Sequence, residues 1–241
     1  MYHSIKFGDK DAFSDWHLVP SSRPVIAMPN VKTTVVEVPG ASGAVDLSEL
    51  LTRYPLYQNR TGELDFHVLN DYTDDYDSWS DLYEEMANYL HGKNMKVVLE
   101  DDPDYYYEGR IALAQWISNN DGTWSDVKFQ YDFDPYKYYK NDKVYTRSMS
   151  STPVYLDFQD DSIGRMPVVP TFTVSGIGTG QVNLEYTNVE LGVSALTKTI
   201  TANGTRTFYD IILSRLNPSN VCTLKLSGSG TVKIQFRKGD L

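Results

Sequence analysis

Residues Thr61 to Ile111 read TGELDFHVLNDYTDDYDSWSDLYEEMANYLHGKNMKVVLEDDPDYYYEGRI, and the periodicities in this stretch decide the fold. Leu64, Phe66 and Val68 are apolar and alternate with Asp65 and His67, the period of two of a half-buried strand. The period then lengthens. Trp79, Leu82, Tyr83, Met86, Tyr89 and Leu90 recur at three- and four-residue steps and predict a helix over Ser78–Leu90 with one apolar face. Ser78 and Asp81 have the spacing of a capping box, with Asp in place of Glu, and Asp75 and Asp77 suit the positive end of the helix. Gly92 stops it. Met95, Val97 and Leu99 begin a second strand, Asp101-Asp102-Pro103-Asp104 turns, and Tyr105–Leu113 returns. One helix between strands covers one sheet face, so other strands must complete the core.

Working outward, Ile5-Lys6-Phe7, Trp16-His17-Leu18-Val19 and the β-branched run Val31–Val38 read as strands, and Asp46–Leu51 as a short helical turn. Downstream, Asp121-Gly122 predicts a hairpin into Trp124–Phe133, whose Val127, Phe129, Tyr131 and Phe133 share one face. Composition shifts over Tyr136–Lys143, where we place a linker. Beyond it the helix signal disappears. Seven short strands are expected: Val154–Phe158, Thr171–Ser175, Gln181–Tyr186, Ala195–Ile200, Thr207–Leu213, Cys222–Leu226 and Thr231–Arg237. Turn residues such as Gly164, Gly176–Gly180, Asn203-Gly204 and Gly228–Gly230 punctuate them. That pattern is an antiparallel sandwich. The fold class is therefore mainly β: an α+β N-terminal domain, 1–140, with one main helix on a sheet, followed by a β-sandwich, 141–241.

Charge is shared unevenly. Residues 1–140 carry 12 Lys/Arg against 24 Asp/Glu, and residues 141–241 carry 10 against 8. An acidic first half argues against stable DNA binding, which needs cations to replace counterions. Cys222 is the only cysteine, so no intramolecular disulfide forms. The first residues contain no long apolar run and no window approaches a membrane span, so neither a signal peptide nor membrane insertion is expected.

Candidate chemistry is sparse. The acidic run Asp71, Asp74, Asp75, Asp77, Asp81 lacks the spacing of a calcium loop and suits a solvated helix start. Glu100, Asp101, Asp102 and Asp104 are carboxylates at a turn beside Pro103, where Asp is expected without catalysis. His3, His17, His67 and His91 are scattered and form no zinc motif. Gly176–Gly180 lacks the Lys-Ser/Thr and helix of a phosphate loop and reads as a hairpin turn. No catalytic, cofactor or metal residue is expected. Tyr105, Tyr106 and Tyr107, with Tyr136, Tyr138 and Tyr139, either stack on a sugar or partner or pack half-buried on the sheet.

An ordered series of short motifs carries a resemblance. It runs Ser4-Ile5-Lys6-Phe7-Gly8, Trp16-His17-Leu18, Ser22-Arg23-Pro24, Val38-Pro39-Gly40 with Asp46-Leu47, and Asn59-Arg60-Thr61. It continues with Tyr89-Leu90-His91-Gly92, Leu99–Pro103 and Tyr107-Glu108-Gly109-Arg110. Over about residues 2–140 the chain resembles the distal tail proteins (Dit) of siphophages and prophages of Gram-positive bacteria. The resemblance implies a non-enzymatic virion component of the tail tip or baseplate, assembled in the host cytoplasm. The N-terminal domains would form a homohexameric ring, and a galectin-like C-terminal domain would project outward for docking. Implied partners are the tail tube, tape measure and tail-associated hub proteins and a receptor-binding protein. An acidic lumen would let DNA pass, with Asp71, Asp74 and Asp75 as lumen candidates. The alternative is a carbohydrate-binding module resting on Tyr155, Phe158, Phe172, Tyr186, Phe208 and Tyr209; Tyr105, Tyr106, Tyr107, Tyr186 and Tyr209 are the sugar- or partner-contact candidates. A cell-wall hydrolase is a further class, without a residue set to support it.

Overall fold

Ten residues around Leu64 extend into a strand because nothing interrupts their alternation: Arg60–Leu69 pairs antiparallel with Trp124–Phe133 along its whole length. The computed structural model describes residues 3–69, 79–118, 124–149, 152–158, 163–214 and 222–241. Its Cα positions group into two units, Met1–Lys32 with Tyr57–Lys140, and Thr33–Leu56 with Asn141–Leu241.

In chain order the elements of the first half are β1 (Ile5–Phe7), β2 (Lys10–Asp11), α1 (Ala12–Trp16), β3 (Leu18–Pro20), β4 (Val35–Glu37), β5 (Ala44–Asp46), β6 (Arg60–Leu69), α2 (Trp79–Leu90), β7 (Asn94–Leu99), β8 (Tyr105–Ser118), β9 (Trp124–Phe133) and β10 (Lys137–Tyr139). All but β4 and β5 belong to the first unit. Its sheet runs β2-β1-β7-β8-β9-β6-β3, with β10 paired to the start of β8. Flat strands about 4.8 Å apart would hold β1 about 14 Å from β9. Yet the rings of Phe7 on β1 and Phe129 on β9 lie 5.5 Å apart, and those of Phe7 and Phe66 on β6 lie 6.2 Å apart. The sheet therefore curls around an aromatic core. A bulge in β8 between Leu113 and Gln115 assists the bend.

Helix α2 covers this core with Leu82, Met86 and Leu90, spaced four residues apart and all buried. Trp79 does not share that face. It is 52% exposed and stacks on Trp116 of β8 at 5.9 Å. The expected capping residue Ser78 and the acids Asp71, Asp74, Asp75 and Asp77 lie outside the described residues. Tyr89 locks the helix to β1: its hydroxyl donates to Phe7 O at 3.1 Å and accepts from Asp9 N at 3.0 Å.

Local structure departs from expectation at three places. Trp16 ends a helix instead of starting a strand, because the Asp11 side chain caps Phe13 N and Ser14 N, each at 3.0 Å, and His17 adopts a left-handed conformation. Only Val35–Glu37 of the Val31–Val38 run is a strand. Asp46 closes β5, and the helical turn expected from it begins at Leu47 as a simple turn.

The second unit contains β11 (Lys143–Met149), β12 (Val154–Asp157), β13 (Thr171–Ser175), β14 (Val182–Asn188), β15 (Val193–Ile200), β16 (Gly204–Thr207), β17 (Cys222–Gly228) and β18 (Gly230–Phe236). They form two antiparallel four-stranded sheets, β11-β18-β13-β16 and β12-β17-β14-β15. Three corrections follow. The expected linker, Tyr136–Lys143, contains the strand Lys137–Tyr139, paired with β8, and its last residue opens β11, paired with β18. The strand expected at Thr207–Leu213 lies earlier, at Gly204–Thr207, and Ile211 and Leu213 enter the core from a loop. The turn at Gly176–Gly180 is no hairpin, since β13 and β14 belong to different sheets. Consecutive strands β14 and β15 pair, while the other consecutive pairs change sheet. Gly228 shows the cost of such a change: at φ +117°, an added Cβ would lie 2.0 Å from Gln181 O. Cys222 is buried in this core, and desolvation pushes its thiol up to about 12, so it packs as a small apolar residue.

The helix face predicts its own mutational contrast. Leu82→Ala should destabilise the first unit by ~2–5 kcal/mol, whereas truncating the half-exposed Trp79 should cost distinctly less. Thermal melts of the two variants check this; equal losses would contradict the packing described.

Candidate interaction surfaces

Six tyrosines flanking the β8–β10 pair were the first candidates for external contacts, and most of their rings are engaged within the first unit. Register sets Tyr106 opposite Tyr138 and Tyr105 opposite Tyr139, with ring centroids 5.6 Å and 5.4 Å apart. Lys137 Nζ stands 4.5 Å from the Tyr105 ring and Lys96 Nζ 4.6 Å from that of Tyr106. Tyr107 is buried against Phe133, 6.0 Å away, and burial raises its pKa. Behind it lies Arg60, 1% exposed, with Cζ 5.5 Å from the Tyr107 ring. Arg60 Nε donates to Pro135 O at 2.8 Å and Nη1 to Ala27 O at 3.2 Å, so one guanidinium holds two connecting segments. Tyr136 rests edge-on against Tyr57.

In the second unit Tyr186 is wholly buried, and its hydroxyl donates to Ile212 O. Tyr209 is 81% exposed. Of the other aromatic residues read as sugar contacts, Phe158 and Phe172 are core residues, Phe208 packs against the core, and Tyr155 is exposed.

The carboxylates of the β7–β8 turn hold the N-terminal segment. Glu100 Oε2 accepts from Ser4 N at 2.8 Å, and Lys137 Nζ donates to Asp102 Oδ2 at 2.7 Å. Asp101 meets His3 Nδ1 at 2.9 Å and Arg23 Nε at 2.7 Å. The bond from His3, then that from Arg23, holds the Asp101 carboxyl below the usual carboxylate range. Among the described residues no cluster of three or more His, Cys, Asp or Glu side chains has the geometry to hold a metal ion. No described helix is long and apolar enough to cross a membrane. The lumen candidates Asp71, Asp74 and Asp75 lie outside the described residues.

The feature that sequence reasoning missed is the segment from Val25 to Leu56. Among the described residues it holds ten of the seventeen exposed large hydrophobic side chains, including Val35, Val36, Val38, Val45, Leu50 and Leu51. The β4–β5 ribbon is exposed along both strands. It is braced internally, with Leu47 N donating to Thr34 O and Thr34 N to Ser48 Oγ, both at 2.8 Å. Arg53 ties its base to Leu191 O at 2.9 Å. The available signal was the density of valines in Val31–Val38; what hid the meaning was that a β-branched run reads equally as a buried strand.

No protein-family model matches the chain, and no curated protein matches it in sequence. A solved structure does: that of SPP1 Dit (gp 19.1), described as a paradigm of the hub adsorption apparatus in phages infecting Gram-positive bacteria. The two align over 100% of both chains with a TM-score of 0.66 at 16% sequence identity. The chain thus has the fold of that protein from end to end.

Asp101 supplies a pH-dependent contribution of defined sign. Its folded pKa is depressed, so its stabilisation is present above the ordinary Asp value of about 3.9 and is lost as pH falls through the lowered folded value. The melting-temperature gap between wild type and Asp101→Asn should be fully open at about pH 6 and narrow progressively as the pH falls below the ordinary Asp value of about 3.9. A gap that stays constant over that range would remove Asp101 from this role.

Proposed function

We propose that this chain is a structural, non-enzymatic component of a phage tail tip. In this reading it assembles with copies of itself into a ring, a homohexamer, between the tail tube and the baseplate hub. The end-to-end likeness to SPP1 Dit supports the placement at a tail tip. The observation that carries self-assembly is the ribbon. A two-stranded hairpin is marginal in water by itself, and this one exposes valines along both strands. Exposed apolar side chains paired across a ribbon, as Val36 is with Val45, mark a protein–protein contact. A contact between unlike patches of identical copies propagates and closes into a ring when its rotation permits. The sandwich of residues 141–241 is the docking module for hub, tape measure or receptor-binding components, and the virion is its site of residence.

Light scattering after gel filtration should give a mass near six times 27.4 kDa at high protein concentration. Val36→Asp and Leu51→Asp should reduce the assembly to monomers while leaving the melting temperature of the monomer unchanged, because both side chains are exposed. A wild-type chain that stays monomeric at high concentration, in scattering and in electron micrographs, would refute the ring.

A further inference from the structure

The outer face of the sheet β12-β17-β14-β15 carries chemistry that the core does not use. Alternation sends Leu156, Leu224 and Tyr186 inward. Their neighbours Tyr155, Lys225 and Glu185 consequently stand outward in one row, since Tyr155 pairs with Lys225 and Lys225 with Glu185. Tyr155, on the edge strand, is 59% exposed. Lys225 Nζ donates to Glu185 Oε2 at 2.8 Å. One register step away, Thr223 Oγ1 donates to Asp157 Oδ1 at 2.8 Å. On the other side Asn183 Oδ1 accepts from Thr199 Oγ1 at 3.0 Å, which leaves its amide as a donor.

We propose that this face binds a neutral oligosaccharide, with the Tyr155 ring as the stacking platform. A sugar ring presents an apolar C–H face and a rim of hydroxyls that both donate and accept. The row supplies the complement: an aromatic face, a fixed ammonium–carboxylate pair, a further carboxylate at Asp157 and an amide donor at Asn183. Neighbouring strands lie about 4.8 Å apart, so Tyr155 and Glu185 span about 10 Å, enough for a disaccharide. Other occupants fit worse. The core of a protein interface is depleted in Lys, Glu, Asp and Ser, and the rows named here contain no exposed aliphatic side chain. A polyanion needs uncompensated cations, and the one lysine here is already paired with Glu185. Every copy carries the whole row, so the site does not depend on ring assembly.

Saturation-transfer NMR detects weak ligands on assemblies of any size and suits the full-length protein. Maltotetraose, cellotetraose and chitotetraose serve as probes. At least one should receive saturation on one C–H face, with a Kd on the order of 1 mM. Tyr155→Ala should weaken that binding at least about tenfold, Tyr155→Phe should retain it, and Tyr209→Ala, at an exposed tyrosine outside the row, should leave it unchanged. Affinity should hold constant from about 50 to about 300 mM salt. Silence from all three probes, binding that survives Tyr155→Ala, or a steep loss with salt would each overturn the assignment.

Discussion

The contact between Phe7 and Phe129 constrains the first unit more than any hydrogen bond does. The two residues stand on strands separated by two others in the sheet, yet their rings touch edge to face. Phe66 packs against both. Backbone pairing alone permits an open, gently twisted sheet. Burying three phenylalanines and Trp16 on one side requires that sheet to wrap, because only a curled surface removes all four from water. Helix α2, about three turns long, closes that core with Leu82, Met86 and Leu90.

Two well-filled cores make the exposed ribbon informative. Chains of this size always leave some apolar surface in water, and isolated exposed hydrophobics need no explanation. Here most of them fall in one segment, from which Ile26 alone joins a core. The β4–β5 ribbon within it is ordered by the bond from Thr34 N to Ser48 Oγ, and Arg53 anchors the chain beyond it to Leu191 O. A surface that is apolar and pre-organised loses little entropy when it is covered.

The aromatic residues of the sandwich divide by parity. Phe172 and Tyr186 occupy inward positions of their strands and Phe158 follows β12 into the core, whereas Tyr155 occupies an outward position of β12. Which class a residue joins follows from a single step of register. Parity does not sort the tyrosines of β8: Tyr106 and Tyr107 are consecutive, point to opposite faces and are both buried, because Tyr138 covers one and Phe133 the other. Aromatic content therefore marks a sandwich of this kind as well packed long before it marks any of its surfaces as a binding site.

Much of the architecture was determined by sequence alone, because local periodicity is written residue by residue. The alternations at Leu64–Val68 and Val127–Phe133, the Leu82–Met86–Leu90 helix face and the short strands after Lys143 all follow from the burial of every second or every third-to-fourth residue. The short helix at Ala12–Trp16 was hidden because a five-residue segment shows barely one period, and its cap at Asp11 outweighs the β-like Trp-His-Leu-Val string. Tertiary structure alone decided which strands share a sheet. Glycine turns look the same whether they join paired neighbours or carry the chain across a sandwich, as Gly176–Gly180 does. It also decided which apolar residues stay uncovered, since a valine in the exposed ribbon and one in β9 have identical local signatures. Burial is a property of what packs against a residue from elsewhere in the chain, and no window of sequence contains that partner.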